Sequence, residues 1–221
     1  MPDAPYFQQE RFQLHAGKRR YLEFLVDLVR RESIAPPASL LEIGSGTGLF
    51  AMVAEEAGYS ITGVEAASYA AAEAQKRVRG PILCRDANQR LDLPSHSFDA
   101  VVMWDVIEHL HDVATTLDEA RRLLRPGGKI FVITLNAGSI VRPILGRRWA
   151  WYQDPTHVFL FSIRTLRAAI RDAGFSDIRM STILNFHSAG ESFAPLRPFR
   201  RLGGVLRIPW GGDSLLAIGT V

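Results

Sequence analysis

The 221-residue chain predicts an α/β fold, a largely parallel sheet covered by helices. Three observations carry that expectation. Short apolar runs alternate with amphipathic stretches of helical period. The first such run passes straight into a glycine-rich turn that opens a helix. The next two runs are followed by acidic residues, Glu65 and Asp86.

Taken in order, residues 17–33 read as a helix, because Leu22, Leu25, Val26 and Val29 fall at helical spacing, and Pro36-Pro37 ends it. Residues 39–43 (SLLEI) form a first strand and 48–57 a helix. Residues 60–64 (SITGV) form a second strand and 66–78 an Ala-rich helix. Residues 81–84 (PILC) and 98–104 (FDAVVMW) are the third and fourth strands. A helix at 112–124 stops at the turn signal Pro126-Gly127-Gly128, and 129–135 (KIFVITL) is the fifth strand. The alternation pauses over 136–161, which is rich in Arg, Trp, Tyr and Pro. It resumes with a helix at 162–173, N-capped by Ser162 and stopped by Gly174, and a strand at 175–185. Residues 188–212 read as irregular and 214–220 (SLLAIGT) as the last strand. Long irregular connections in a compact fold are commonly functional, so both are assigned to the substrate side.

A content of 47% hydrophobic and 22% charged residues is enough for a sizeable core. The single cysteine, Cys84, excludes an internal disulfide and a cysteine-built metal cluster. The first residues carry no basic start followed by an apolar run, and no apolar stretch reaches the ~18–20 residues that span a bilayer. The expectation is a soluble, cytoplasmic protein. Charge is uneven. Residues 1–137 hold 15 Lys/Arg against 18 Asp/Glu, whereas residues 138–221 hold 11 against 5, and all 11 are arginine. Such a basic segment attracts anions: phosphorylated or carboxylated substrates, nucleic acid or anionic lipid.

The strongest motif is Glu42-Ile43-Gly44-Ser45-Gly46-Thr47-Gly48, placed directly after a strand. Glycines let the backbone take positive φ and let a ligand approach without a Cβ in the way. A dinucleotide fingerprint read from Gly44 puts Leu49 at its third small position and fails. Glu65 ends the second strand, 21 residues after Gly44, where a carboxylate accepts hydrogen bonds from ribose hydroxyls. Asp86 follows the third strand; it serves either an adenosine or the turn itself.

The sequence E-x-G-x-G-x-G resembles the first motif of class I S-adenosylmethionine (SAM)-dependent methyltransferases. Ser97 to Val102, Trp104-Asp105-Val106-Ile107-Glu108-His109-Leu110 and Leu123-Leu124-Arg125-Pro126-Gly127-Gly128 extend the likeness over roughly residues 38–180. It is strongest to the small-molecule branch that includes ubiquinone-biosynthesis O-methyltransferases. The stretch Gly146-Arg147-Arg148-Trp149 through His157 to Ser162 is similar to segments in bacterial methyltransferases of unassigned substrate. The resemblance implies a Rossmann-like doubly wound sheet of seven strands, order 3-2-1-4-5-7-6, with strand 7 antiparallel. It also implies one domain over 1–221: a helical cap (1–37), a SAM-binding core (38–135) and two substrate-side insertions (136–161 and 188–212). Cofactor contacts are expected from Glu42, Gly44, Gly46, Gly48, Glu65, Ala66, Asp86, Ala87, Asp105 and Val106. The Asn/Asp-Pro-Pro-Tyr/Phe motif of enzymes acting on adenine or glutamine nitrogens is replaced by Trp104 to Ile107.

Methyl transfer from a sulfonium needs a positioned nucleophile and, for a hydroxyl, a base. His157, in the aromatic insertion, is the candidate general base; its alternative is to hold that insertion in place. His109 is assigned to the substrate side. Arg147 and Arg148 beside Trp149, Trp151 and Tyr152 form a candidate clamp for an anionic acceptor. The histidines show no H-x-x-x-H or HExxH spacing, so no metal site is assigned. The expected partner is a small molecule, and the chain is expected to be a monomer or homodimer. Nucleic acid is disfavoured because the arginines form no long tract. Arg197 to Trp210 mixes basic and apolar residues and suits a peripheral membrane contact, a lipid-like substrate or, equally, a protein–protein contact. The remaining alternatives are a SAM-fold protein without turnover and a NAD-dependent oxidoreductase, the latter disfavoured by the glycine spacing.

Overall fold

A computed structural model of the chain describes residues 4–8, 13–140, 142–143, 146, 149, 154–185, 205–208 and 211–221. Among the described residues the strands are β1 (Ser39–Ile43), β2 (Ser60–Glu65), β3 (Ile82–Cys84), β4 (Phe98–Trp104), β5 (Leu124–Leu135), β6 (Ser176–Asn185), β7 (Val205–Ile208) and β8 (Ser214–Thr220). They form one sheet in the order β3-β2-β1-β4-β5-β8-β6-β7. The five strands from β3 to β5 pair in parallel. β8 enters antiparallel between β5 and β6. Without β7 this is the expected seven-strand order, with the last strand antiparallel.

Buried strands read as continuous apolar runs because both sheet faces are covered. Leu41 and Ile43 of β1, Val101 and Met103 of β4, and Ile130 and Val132 of β5 point into one core layer. Their neighbours Leu40, Ala100, Val102, Phe131 and Ile133 point into the other. The first layer is closed by Leu117 and Ala120 of α5 (Val113–Leu123) and by Leu166 and Ile170 of α6 (Ile163–Asp172). The second is closed by Leu22, Leu25 and Val29 of α2 (Ala16–Arg31) and by Phe50 and Val53 of α3 (Leu49–Glu56). The short α1 (Ala4–Phe7) lays Phe7 against Ala67 and against Ala70 of α4 (Ser68–Gln75).

Two expectations are corrected. The stretch 188–212, read as irregular, contains β7, which pairs antiparallel with β6 at the sheet edge. Strand five begins at Leu124 rather than Lys129. Pro126-Gly127-Gly128 is a bulge inside β5, with the register shifting between Phe98 and Ala100 of β4 and Gly127 at φ 78. The bulge stays in the sheet because the Gly127 and Val221 amides donate to the Val221 and Gly128 carbonyls at 3.2 and 3.0 Å.

Helix α6 starts at a reciprocal capping box. The Thr165 amide donates to Ser162 Oγ at 3.2 Å and the Ser162 amide donates to Thr165 Oγ1 at 2.8 Å. Ser162→Ala is expected to lower unfolding stability by about 0.5–2 kcal/mol in a urea titration; no change would show that the cap does not hold this helix. Among the described residues no helix is long and apolar enough to cross a membrane. Of the C-terminal arginines, Arg164, Arg167 and Arg171 lie exposed on α6, and Arg179 pairs with Glu32.

Candidate functional site

Because β3, β2, β1 and β4 are parallel neighbours, their carboxyl ends lie side by side, and every loop that leaves them opens on the same edge. The turn after β1 folds back over β2. The amides of Gly44 and Ser45 both donate to the Val64 carbonyl at 2.8 and 3.0 Å, and the Gly48 amide donates to the Ser45 carbonyl at 2.8 Å. Gly44 sits at φ +76 and a Cβ there would lie 2.3 Å from Val106 Cγ2, so the turn is packed directly against the loop after β4. Gly46 also has positive φ, +52, yet a Cβ there would meet nothing within 4 Å. One glycine is thus demanded by packing inside the chain, whereas the other faces open space.

Glu65, at the end of β2, is hydrogen-bonded to this turn. Its Oε2 accepts from the Gly46 amide at 2.8 Å and its Oε1 from the Ala67 amide at 2.9 Å, arching over Ala66. Burial raises its carboxyl above the usual range, against the lowering effect of those amides. Glu42 is buried in β1, and its carboxyl is pushed well above the ordinary value, first by burial and then by the charge of Glu65. Its Oε2 has no hydrogen-bond partner, and neither do the buried hydroxyls of Ser45 and Thr47 in the turn. The last two were not singled out from the sequence, although both lie inside the motif. Asp86 Oδ1 accepts from the Asn88 amide and Nδ2 at 2.9 and 2.7 Å, so it does build the turn after β3. Thr116 Oγ1 fixes that turn by donating to the Ala87 carbonyl at 2.8 Å. Glu65→Gln keeps only one good acceptor oxygen, so the turn loses one of two restraints. If this turn holds the cofactor that the sequence resemblance implies, affinity for S-adenosylhomocysteine (SAH) is expected to fall about tenfold in titration calorimetry; unchanged affinity would remove Glu65 from the expected contacts.

After β4 the chain turns sharply. Asp105 is left-handed at φ 55, held by its amide donating to the Ile133 carbonyl at 2.9 Å. Such non-glycine conformations cost energy and concentrate at functional sites. A single 3-10 turn, Ile107–His109, follows. It carries a residue that the sequence reading passed over. Glu108 is 1% exposed. Its Oε2 accepts from Thr134 Oγ1 at 2.8 Å, whereas its Oε1 has no partner. Burial, then the charges of Asp105 and Asp154, push its carboxyl up to about 8. Its backbone carbonyl accepts from the amides of Val158 and Phe159 at 2.8 and 3.1 Å. Those bonds lay residues 154–161 across the β4 loop and bring His157 in. The rings of His109 and His157 lie 4.8 Å apart. One ligand-type atom each of Glu108, His109 and His157 falls within 4.8 Å of the other two. No histidine spacing pointed to this group, because its members come from a turn and from a distant loop.

Trp149 is fully buried and does not offer a ring face to solvent as a surface clamp would. Arg147, Arg148, Trp151 and Tyr152, the rest of that clamp, lie outside the described residues. A separate groove of about 430 Å³, lined by Ser39, Ser60, Gly80 and Phe98 among others, opens at the amino ends of the strands, away from all these loops.

A methyltransferase-domain family model matches residues 14–179. The chain is 30% identical over 186 residues to a ubiquinone biosynthesis O-methyltransferase of Paramagnetospirillum magneticum, covering 78% of this chain and 71% of that one. It is 30% identical over 148 residues to a malonyl-[acyl-carrier protein] O-methyltransferase of Serratia marcescens, covering 65% of this chain and 57% of that one. A SAM-dependent methyltransferase structure from Thermotoga maritima superposes with a TM-score of 0.68 at 25% identity, over 92% of this chain and 91% of that one.

Proposed function

The chain belongs to the methyltransferase-domain family of SAM-dependent enzymes, and from that premise we propose that it methylates an oxygen of a small-molecule acceptor. Bound SAM supplies a methyl group on a positively charged sulfur, which an acceptor oxygen displaces in line. In this reading Gly44, Gly46 and Gly48 form the backbone cradle, Glu65 takes the ribose hydroxyls, and Asp86 and Ala87 border the adenine. Asp105 and Val106 close the cradle from the β4 side. The residues fit such a ligand. Gly46 leaves room beside it. A buried carboxyl with a partnerless oxygen, as in Glu42, suits a ligand that brings donors or positive charge.

The observation that carries the acceptor half is the group Glu108, His109 and His157. Ionising a hydroxyl requires a proton acceptor or an electrostatic equivalent, and this group stands one turn beyond Val106, which touches the glycine cradle. His157 is the proposed base. The O-methyltransferase names of two relatives support oxygen as the atom methylated. Val158 and Phe159, 46% and 42% exposed beside His157, favour an acceptor with an apolar body.

Titration calorimetry with SAH, with NAD as control, tests the cofactor. Micromolar binding of SAH alone is expected; binding of neither ligand would remove the basis for turnover. A screen of phenols, hydroxy acids and lipid precursors with methyl-labelled SAM then tests the acceptor, and label transferred only to amines would overturn the assignment to oxygen.

A further inference from the structure

We infer that Asp213 takes a hydrogen-bond donor of the acceptor, a hydroxyl or ammonium group set apart from the methylated oxygen, and that it disfavours acceptors ending in a carboxylate. The inference rests on the reading above, in which the acceptor lies beside Glu108 and His157.

Position is the first observation. β8 runs antiparallel to β5, so its start lies at the same sheet edge as the end of β5, and the Asn136 amide donates to the Asp213 carbonyl at 2.8 Å. That bond continues the register in which Thr134 faces Leu215. Side chains alternate along a strand, so Asp213 falls on the face of Thr134, whose hydroxyl holds Glu108. Two residues of strand, about 7 Å, separate the two anchor points. The segment that brings in His157 runs along the same edge, because the Ala137 amide donates to the Phe161 carbonyl at 2.7 Å.

The second observation is an imbalance of polar partners. The turn around Asp213 is well bonded. Asn136 Nδ2 donates to the Gly212 carbonyl at 2.7 Å, the Gly138 amide donates to Asn136 Oδ1 at 2.8 Å, and the Gly212 amide donates to Thr182 Oγ1 at 3.1 Å. A Cβ on Gly212 would lie 2.6 Å from the Ile183 carbonyl oxygen, so the turn is wedged against β6 and Asp213 has a fixed place. Its carboxyl, in a residue 1% exposed, accepts from Ser139 Oγ at 2.7 Å and from no other described residue. A carboxylate offers about four acceptor sites, and a buried one is normally paired or fully hydrogen-bonded. Burial accordingly raises the Asp213 carboxyl above its usual range, and the Ser139 hydroxyl alone works against that. An ionised carboxyl only accepts, so the group that completes its shell brings an N–H or O–H. A carboxylate in its place would set a second negative charge against it in a buried site.

The test uses three phenols that share a ring and differ at the far end: tyramine (ammonium), tyrosol (hydroxyl) and para-hydroxyphenylacetate (carboxylate). Each is titrated by calorimetry into protein saturated with SAH. Tyramine and tyrosol are each expected to bind at least about tenfold more tightly than para-hydroxyphenylacetate. Asp213→Asn keeps an acceptor oxygen for Ser139 and removes the charge. It is expected to shrink the preference for tyramine over the acid at least about tenfold, with SAH affinity and melting temperature unchanged. A carboxyl that only held the turn would leave that ratio alone. Equal binding of the three, tighter binding of the acid, binding of none, or a preference that Asp213→Asn retains would overturn the inference. Any of these with SAH bound leaves the methyltransferase reading standing, whereas failure to bind SAH strikes that reading itself.

Discussion

Gly46→Leu is expected to lower SAH affinity at least about 100-fold while the protein still folds. A side chain at Gly46 meets no atom of the chain within 4 Å, so it creates no internal clash. The left-handed backbone at φ +52 costs a non-glycine residue about 1–2 kcal/mol, which moves the melting midpoint of a chain this size by roughly 2–8 °C. The larger effect falls on the ligand, because the isobutyl group occupies the approach to the Gly46 amide and to Glu65, which accepts from that amide. Gly44→Ala behaves in the opposite way. Its Cβ would lie 2.3 Å from Val106 Cγ2, so the chain must shift before any ligand arrives, and stability falls with affinity. Calorimetry and thermal melting on both variants separate the two cases. Retained SAH affinity in a folded Gly46→Leu protein would place the cofactor elsewhere.

His157→Gln is expected to reduce turnover by about 100-fold or more, with SAH affinity and melting temperature close to those of the parent. Gln preserves hydrogen-bonding capacity and approximate size, but it has no basic ring nitrogen to take up a proton. The ring lies against His109, and the amide of the next residue, Val158, is tied to the Glu108 carbonyl, so the backbone position survives the change. Single-turnover assays with an identified acceptor read the effect. Near-parental turnover would leave His157 only the task of holding its loop.

Strands β1, β4 and β8 are legible to the residue from the sequence, because each is an apolar run buried on both faces with polar or glycine punctuation beside it. β7 was not legible. It has four residues, contains Arg207 and is flanked by Gly203-Gly204 and Pro209, so composition marks a loop; only its pairing with β6 makes it a strand. The bulge in β5 was hidden for a related reason. Pro-Gly-Gly is a sound turn signal, and the antiparallel partner that retains it in the sheet lies far away in sequence. The glycine turn, Glu65 and Asp86 could be read because each ends or follows a strand in chain order. Glu108 could not, since an acid within Val106-Ile107-Glu108-His109-Leu110 reads as the solvent face of a helix. In the fold its side chain turns onto Thr134 of β5 and its carbonyl is covered by the amides of Val158 and Phe159. Ser45 and Thr47 were in plain view, but periodicity does not reveal which hydroxyls end up without partners.

The place of β8 has a consequence for vectorial synthesis. Strands emerge from the ribosome in chain order at about 5–20 residues per second, so β1 to β5 and the glycine turn can assemble while the rest is still being made. β6 and β7 reach the sheet only through β8, which bonds β5 on one side and β6 on the other. Until β8 emerges, β5 is a bare edge and the β6–β7 hairpin has no dock, an interval in which exposed strand edges invite mispairing. A nascent chain arrested before β8 is expected to have an ordered half carrying the glycine turn and a protease-sensitive remainder.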